Sequence, residues 1–189
     1  MSKDYFFHNS SIISKDSFIG KNTKVWHYSH IFGSSSVGKN CIIGQNVMIG
    51  PNVIVGNGCK IQNNVSLYKG IILEDNVFCG PSCVFTNVKT PRAFIDRSNE
   101  FSKTIVRKGV SIGANSTIIC GIELGKYSMI GAGALVTKDV KPYSLVIGSP
   151  AIHIGWVSEA GERLDDNLIC KRTGKLYEEK KGILHEKNI

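Results

Sequence analysis

Apolar residues recur at every sixth position between residues 13 and 85, and this series organises the chain. An α-helix requires a period of about 3.6 residues and a single strand a period of about 2. A period of six is typical of a parallel β-helix built from hexapeptide repeats. The pattern predicts an all-β fold, because accidental spacing in a β-sandwich is disfavoured by so long a series. Its members are Ile13, Ile19, Val25, Ile31, Val37, Ile43, Ile49, Val55, Ile61, Leu67, Leu73, Cys79 and Phe85.

The hexad also predicts the geometry of each coil. The residues two positions before each member are small or β-branched. Side chains two apart lie on the same face of a strand, so both are expected to point inward. We expect the glycine-rich residues between them to form the bends. Three hexads close one triangular coil, so equivalent residues of successive coils stack about 4.8 Å apart.

The repeat stops after Phe85 and resumes from Val106 to Val136. The gap is not a multiple of six, which predicts a protruding loop at residues 88–104. Long loops on a rigid scaffold often carry function. We assign residues 1–155 to the β-helix and residues 156–189 to a C-terminal β-hairpin tail, because that segment has turn-like clusters and no period of six.

Composition and charge favour some functions for this chain and exclude others. The 189 residues carry a formal net charge of +8, which suits anionic ligands such as nucleotide sugars and coenzyme A. We find no nucleic-acid-binding module, no apolar run long enough to span a membrane and no apolar signal-peptide core, which favours a cytoplasmic protein. Four of the six cysteines occupy inward positions, and Cys170 alone cannot build a structural zinc site in the tail, so we expect no metal.

Several motifs carry a family resemblance over about residues 7–155. The phrases at 112–115, 130–134 and 148–151 (IGAN, IGAGA and GSPA) resemble the left-handed β-helix acyltransferases. More narrowly, the phrases at 61–68, 78–82 and 84–87, with Pro91 and Arg92, resemble N-acetyltransferases that act on 3-amino nucleotide sugars. The resemblance is greatest to those acting on UDP-2-acetamido-3-amino-2,3-dideoxy-D-glucuronate, whose Gly-Trp tail is echoed at Gly155 and Trp156.

This resemblance implies a left-handed β-helix that assembles as a homotrimer with active sites between subunits. It implies acetyl-CoA as co-substrate, a nucleotide sugar as acceptor, no metal, and a role in surface polysaccharide (O-antigen) biosynthesis. The small residues Gly113 and Ala114 lie one coil from Gly131 and Ala132, so both turns would present backbone to the pantetheine arm. Lys138 is the candidate for a phosphate of coenzyme A.

The chemistry must proceed without a central histidine base, because no histidine occurs between residues 31 and 152. Asn87, at the mouth of the loop, is the candidate catalytic residue: its amide could accept a hydrogen bond from the sugar amine and orient the lone pair. The proton would leave with the coenzyme A thiolate. A backbone N–H of Gly113 or Gly131 would stabilise the oxyanion.

Four further residues are candidates for substrate binding. Arg92 matches a pyrophosphate or a sugar carboxylate, although a solvated loop charge is the alternative. Gln62, Asn63 and Tyr68 occupy outward turn positions before the loop. Asn63 also lies one coil from Gln45, so a polar ladder between turns explains it equally well.

Other functions remain as alternatives. Within the enzymes, the acceptor could be a dTDP-3-amino-3,6-dideoxyhexose. A γ-type carbonic anhydrase resembles this fold but needs zinc-binding histidines on central coils, where this chain has none. A non-catalytic β-helix would show regular threonine arrays, whereas the outward positions here mix Lys, Asn, Gln and Gly.

Overall fold

A computed structural model describes residues 4–187. Its coils stack into the parallel β-helix that the hexads predict, with the left hand that the family resemblance implies, and a C-terminal tail follows. Its short strands form three flat faces. Face A contains β1 (Phe6–Phe7), β4 (Lys24–Val25), β7 (Ile42–Ile43), β10 (Lys60–Ile61), β13 (Phe78–Cys79), β16 (Ser111–Ile112), β19 (Met129–Ile130), β21 (Ser144–Ile147) and β22 (Ile152–Trp156). Face B contains β2 (Ile12–Ile13), β5 (His30–Ile31), β8 (Met48–Ile49), β11 (Ser66–Leu67), β14 (Val84–Phe85), β17 (Thr117–Ile118) and β20 (Leu135–Val136). Face C contains β3 (Phe18–Ile19), β6 (Ser36–Val37), β9 (Ile54–Val55), β12 (Ile71–Leu73), β15 (Thr104–Val106) and β18 (Glu123–Leu124).

Three edges separate these faces. We call the turns from face A to face B edge AB, those from B to C edge BC, and those from C to A edge CA. In the described part of the chain, no helix is long and apolar enough to cross a membrane.

The inward residue of each hexad builds one continuous core. Ile31, Ile61 and Leu124, for example, have no exposed surface. Each such aliphatic side chain stabilises the fold by about 1.5–3 kcal/mol when fully buried. The core column therefore fixes the register in which successive turns stack.

Only some of the glycines form the bends in the way the sequence suggested. The left-handed backbone positions recur every six residues, and asparagine is the commonest residue there, as at Asn40 (φ 57°) and Asn64 (φ 63°), while glycine occupies others, as at Gly58 (φ 68°). Asparagine tolerates this conformation better than most residues. Gly38, in contrast, is needed because the next coil approaches it: a Cβ there would lie 2.6 Å from the carbonyl carbon of Gly56.

The loop occupies residues 86–103 and interrupts one coil. Stacked partners are 18 residues apart before it and 33 apart across it, as in Phe78 with Ser111, so the loop adds 15 residues. Compared with the predicted 88–104, the loop begins two residues earlier, because β14 ends at Phe85, and ends one residue earlier, because Thr104 already begins β15.

One arginine ties together the coils that flank the loop. Arg107 donates to Glu74 at 2.8 Å and to both carboxylate oxygens of Glu123 at 2.8 Å. Glu74 precedes the loop, and Arg107 and Glu123 follow it. The ion pairs therefore connect three successive coils on either side of the insertion.

The C-terminal end folds back on the last coil. β22 pairs antiparallel with β21 and runs through the predicted boundary at residues 155 and 156. Beyond it, β23 (Tyr177–Lys180) and β24 (Ile183–Glu186) form an antiparallel hairpin. The tail has its own small core, which contains Tyr143, Trp156, Leu164, Cys170, Tyr177 and Leu184.

Candidate functional site

The predicted site residues lie on two edges of the prism. Edge AB carries the amide pair and the small residues: Gln62, Asn63, Gly113, Ala114, Gly131 and Ala132. Edge BC carries Tyr68, Asn87, Arg92 and Lys138. Face B lies between the two edges, so a single chain does not bring the two sets into contact.

Asn87 lies half-buried at the base of the loop on a fixed backbone. Its carbonyl accepts the N–H of Ser102 at 2.8 Å, which closes the loop. The preceding residue, Thr86, accepts the N–H of Cys120 with its hydroxyl at 2.9 Å. Within residues 4–187 the side-chain amide of Asn87 forms no hydrogen bond. A positioned amide is thus free to bind a ligand.

Beyond Asn87, the loop presents charge and apolar surface to solvent. Arg92 is exposed, and its guanidinium donates to the carbonyl of Pro91 at 2.9 Å. Phe94 is 85% exposed and Ile95 is 40% exposed. Exposed apolar side chains on a protruding loop are typical of a surface that another molecule covers.

The expectation that Gly113 or Gly131 donates to an oxyanion is wrong. The N–H of Gly113 donates to Ile130, and the N–H of Gly131 donates to Val146, each at 2.8 Å. Both donors belong to the hydrogen-bond ladder between coils. Gly113 is required for stacking, since a Cβ there would lie 2.4 Å from the nitrogen of Ala132, whereas a Cβ on Gly131 would meet a side-chain methyl of Ile147 at 2.6 Å.

The neighbouring alanines have the free donors instead. At the same position of an earlier turn, the N–H of Gln45 donates to Oδ1 of Asn63 at 2.8 Å. Next to Ala114 the following coil offers Ala132, and next to Ala132 it offers Gly148, so no side-chain oxygen takes that place. Neither alanine N–H donates to an acceptor among the described residues. Edge AB therefore presents backbone donors at Ala114 and Ala132, one coil apart, as it also does at His27 and Asn63 in earlier coils.

The other candidates of the middle coils, Gln62, Asn63 and Tyr68, differ in how far the fold already uses their side chains. Asn63 forms the predicted ladder with Gln45, so its side-chain oxygen already has a structural role. Gln62 is half-buried on the same turn. Tyr68 is 37% exposed and borders a cavity of 130 Å³ with Asn64 and Val84.

Lys138 borders a separate cavity of 240 Å³ at the C-terminal end of the prism. Lys141, His153 and Trp156 also line this cavity. Burial lowers the pKa of His153, and the charge of Lys141 lowers it further. Cationic and aromatic groups meet here, which suits a phosphate or a planar ring.

Sequence reasoning missed two features of edge AB. The N–H groups of Ala114 and Ala132 are free because the stacked residue of the next coil has no side-chain oxygen. This can be recognised only once the register between coils is known. The aromatic residues 26–28 belong to no motif in the sequence, although the register places them on the same edge. Across residues 4–187, no group of three or more His, Cys, Asp and Glu side chains could hold a metal ion.

Comparison with known proteins agrees with this geometry. The family described as bacterial transferase hexapeptide (six repeats) matches residues 16–51, 34–69 and 103–138. The chain is 43% identical over 89 residues to dTDP-3-amino-3,6-dideoxy-α-D-galactopyranose 3-N-acetyltransferase of Aneurinibacillus thermoaerophilus. That alignment covers 46% of each chain, so it spans less than half of the relative.

Solved structures show the same fold. A hexapeptide-repeat-containing acetyltransferase of Vibrio cholerae, complexed with acetyl coenzyme A, is 26% identical, with a TM-score of 0.50. That match covers 61% of this chain and 70% of the other. Galactoside acetyltransferase in complex with coenzyme A has a TM-score of 0.58 at 21% identity, covering 74% of each chain. By its repeats and its fold, the chain is similar to the bacterial hexapeptide-repeat transferases, whose family model matches just under half of its residues.

Proposed function

We propose that this protein transfers the acetyl group of acetyl-CoA to the 3-amino group of a nucleotide-linked amino sugar, as a step in surface polysaccharide (O-antigen) biosynthesis. The observation that carries the proposal is the combination of a free Asn87 amide with two free backbone donors, at Ala114 and Ala132. The similarity to a sugar-nucleotide 3-N-acetyltransferase supports the acceptor class. The Vibrio cholerae structure with acetyl coenzyme A supports the donor.

The reaction needs an oriented amine and a stabilised oxyanion. In our mechanism, Oδ1 of Asn87 accepts a hydrogen bond from the neutral amine, and the nitrogen attacks the thioester carbonyl carbon. The N–H of Ala114 or Ala132 donates to the developing oxyanion. The C–S bond then breaks, and the proton lost by nitrogen goes to the departing thiolate. Proximity and orientation supply much of the rate.

In this proposal, assembly of several chains brings edge AB and edge BC together. A homotrimer would set edge AB of one chain against edge BC of its neighbour, so that each site takes residues from both. The exposed Phe94 and Ile95 on the loop support a neighbouring subunit at edge BC. Coenzyme A would then lie between the alanine donors and Lys138.

Two acceptors compete within this class. The resemblance of residues 61–68 and the tail motif favours UDP-2-acetamido-3-amino-2,3-dideoxy-D-glucuronate, and Arg92 would bind its carboxylate or pyrophosphate. Gln62, Asn63 and Tyr68 would contact the sugar or the base. The relative from Aneurinibacillus thermoaerophilus favours a dTDP-3-amino-3,6-dideoxyhexose instead.

A thiol-release assay with acetyl-CoA separates these acceptors. The two nucleotide sugars are offered side by side, and kcat/KM is compared. A preference of about a hundredfold corresponds to about 2.7 kcal/mol of differential transition-state binding. A preference for the UDP-linked acid supports that sugar as the acceptor, and a preference for the dTDP-linked sugar assigns the acceptor to that class instead. No thiol release with either sugar contradicts the proposed function.

A further inference from the structure

Edge AB begins with an aromatic turn in its second coil. Trp26 is 39% exposed and Tyr28 is 66% exposed, with His27 between them. The rings of Trp26 and His27 are nearly parallel, at 8°, with centroids 6.2 Å apart. The core of the β-helix does not require these residues, because all three point outward.

The turn is held rigidly by the coil before it. His8 stacks on His27 with ring centroids 3.5 Å apart. The hydroxyl of Ser10 accepts the N–H of Tyr28 at 3.0 Å, and the hydroxyl of Ser11 donates to the carbonyl of Trp26 at 2.8 Å. The aromatic surface is therefore pre-organised, and a ligand would lose little by ordering it.

Tyr28 adopts a backbone conformation that disfavours it. Its φ is 56°, whereas the equivalent residues of the next two coils, Asn46 and Asn64, are asparagines, which suit this conformation. Strained residues that packing does not explain cluster at functional sites. The ring of Tyr28 is mostly exposed, so packing does not account for its presence.

The order of residues along edge AB matches the order of groups in the proposed substrates. Aromatic rings come first, then the amides of Gln45 and Gln62, and then the alanine donors. Three coils separate the aromatic turn from the coil of Asn87, a distance of about 14 Å. An extended nucleoside diphosphate sugar spans a distance of this order between its base and its sugar.

We propose that the turn 26–28 is the stacking platform for the pyrimidine base of the nucleotide sugar. The indole of Trp26 and the phenol of Tyr28 offer π-faces, and base stacking on such rings is sequence-tolerant and substantial. The next residue in the column of Trp26 is Gly44, which places no side chain against the indole. The inference rests on the proposed function, because it assigns the nucleotide half of that substrate.

Two variants remove the rings while copying residues that the fold already uses. Tyr28→Asn introduces the residue that the next coil has at the equivalent position, Asn46. Trp26→Gly does the same with Gly44, so both variants should fold. Each should raise KM for the nucleotide sugar about tenfold and leave KM for acetyl-CoA unchanged. Phe18→Ser is the control, since it removes a ring that is 60% exposed on face C and copies Ser36 of the next coil.

A truncated acceptor isolates the base. With the amino sugar 1-phosphate, which lacks the nucleoside, wild type and both variants should have equal kcat/KM. An unchanged KM for the nucleotide sugar in both variants overturns the inference. A loss of equal size with the truncated acceptor also overturns it, because the effect would not depend on the base.

Direct binding separates this inference from the proposed function. The chain has two tryptophans, and Trp156 is only 9% exposed, so UDP or dTDP should quench the fluorescence of Trp26. The quenching should disappear in Trp26→Gly. Quenching without thiol release would retain the base site and contradict the acetyltransferase. The inference fails if neither nucleotide quenches the wild type, or if quenching persists in Trp26→Gly.

Discussion

At the scale of single residues, Asn87 has the clearest expected effect. Asn87→Ala removes one hydrogen bond to the reacting amine, which is worth about 1–1.5 kcal/mol, so kcat should fall about tenfold or more. Steady-state kinetics measures this loss, and size-exclusion chromatography should show an unchanged assembly. Asn99→Ala, in the same loop, is the control and should keep full activity. An unchanged kcat in Asn87→Ala would remove the residue from the mechanism.

The alanine donors can be tested with a substitution that the chain itself provides. Pro81 occupies the position equivalent to Ala114 one coil earlier, so Ala114→Pro should fit the turn while removing its N–H. If Ala114 stabilises the oxyanion, kcat should fall about a hundredfold or more. Ala114→Gly keeps the N–H and should retain activity. Equal rates for the proline and glycine variants would transfer the role to Ala132 or to a side chain.

The sequence predicted the edge of these donors but not the donors themselves. The 18-residue spacing of Gly113 and Gly131 is visible in the sequence, and it places two small turns on one edge. Which N–H is satisfied depends on the side chain that the next coil presents. Asn63 supplies an oxygen to Gln45, whereas Ala132 supplies none to Ala114. This is a property of stacked pairs.

At the scale of the coil, two turn positions should respond differently to substitution. One is constrained by the close approach of the next coil, and the other only by its backbone conformation. Gly38→Ala would place a Cβ 2.6 Å from backbone atoms of the next coil, and should destabilise the fold by about 1–3 kcal/mol. Asn52→Gly, at a φ of 59°, should change stability by less than about 0.5 kcal/mol. Thermal unfolding followed by circular dichroism measures both. Equal destabilisation would contradict the division of roles between these turn residues.

The ion pairs that Arg107 forms between coils should make stability depend on pH. Hydrogen bonds from Arg107 lower the pKa of Glu123 below its ordinary value. A lowered carboxyl pKa stabilises the fold above the unfolded pKa of about 4.3, and this contribution is lost as pH falls through the folded pKa. Arg107→Met should therefore lower Tm at neutral pH, and its difference from wild type should shrink below about pH 4.

A matched control shows whether bridging the coils matters. Arg172→Met breaks an exposed pair with Glu162 that lies wholly in the tail. The Arg172 side chain is 68% exposed against 39% for Arg107, and it pairs with one carboxylate rather than two, so its effect on Tm should be smaller than that of Arg107→Met. A difference between wild type and Arg107→Met that stays constant from neutral to acid pH would contradict the assigned cause.

At the scale of the whole molecule, the sequence predicted the β-helix and the loop because both follow from local spacing. The hexad fixes the coil, and the break after Phe85 fixes the insertion. The relation between the two edges was not predictable, since a candidate list does not show that Asn87 and Ala114 lie on opposite sides of face B. That separation supports our proposal of a site shared between chains, which the family resemblance also implies.

A shared site predicts complementation between two inactive chains. Asn87→Ala retains its alanine donors, and Ala114→Pro retains its amide, so each defect leaves the other edge intact. If each site takes Asn87 from one chain and Ala114 from its neighbour, random mixed trimers contain about a quarter of intact sites. Co-expressed chains should then recover about a quarter of wild-type kcat, whereas the variants mixed after assembly should not. An absence of recovery in co-expressed trimers would contradict the shared site. Asn87 and Ala114 would then have to act within one chain, where face B separates them.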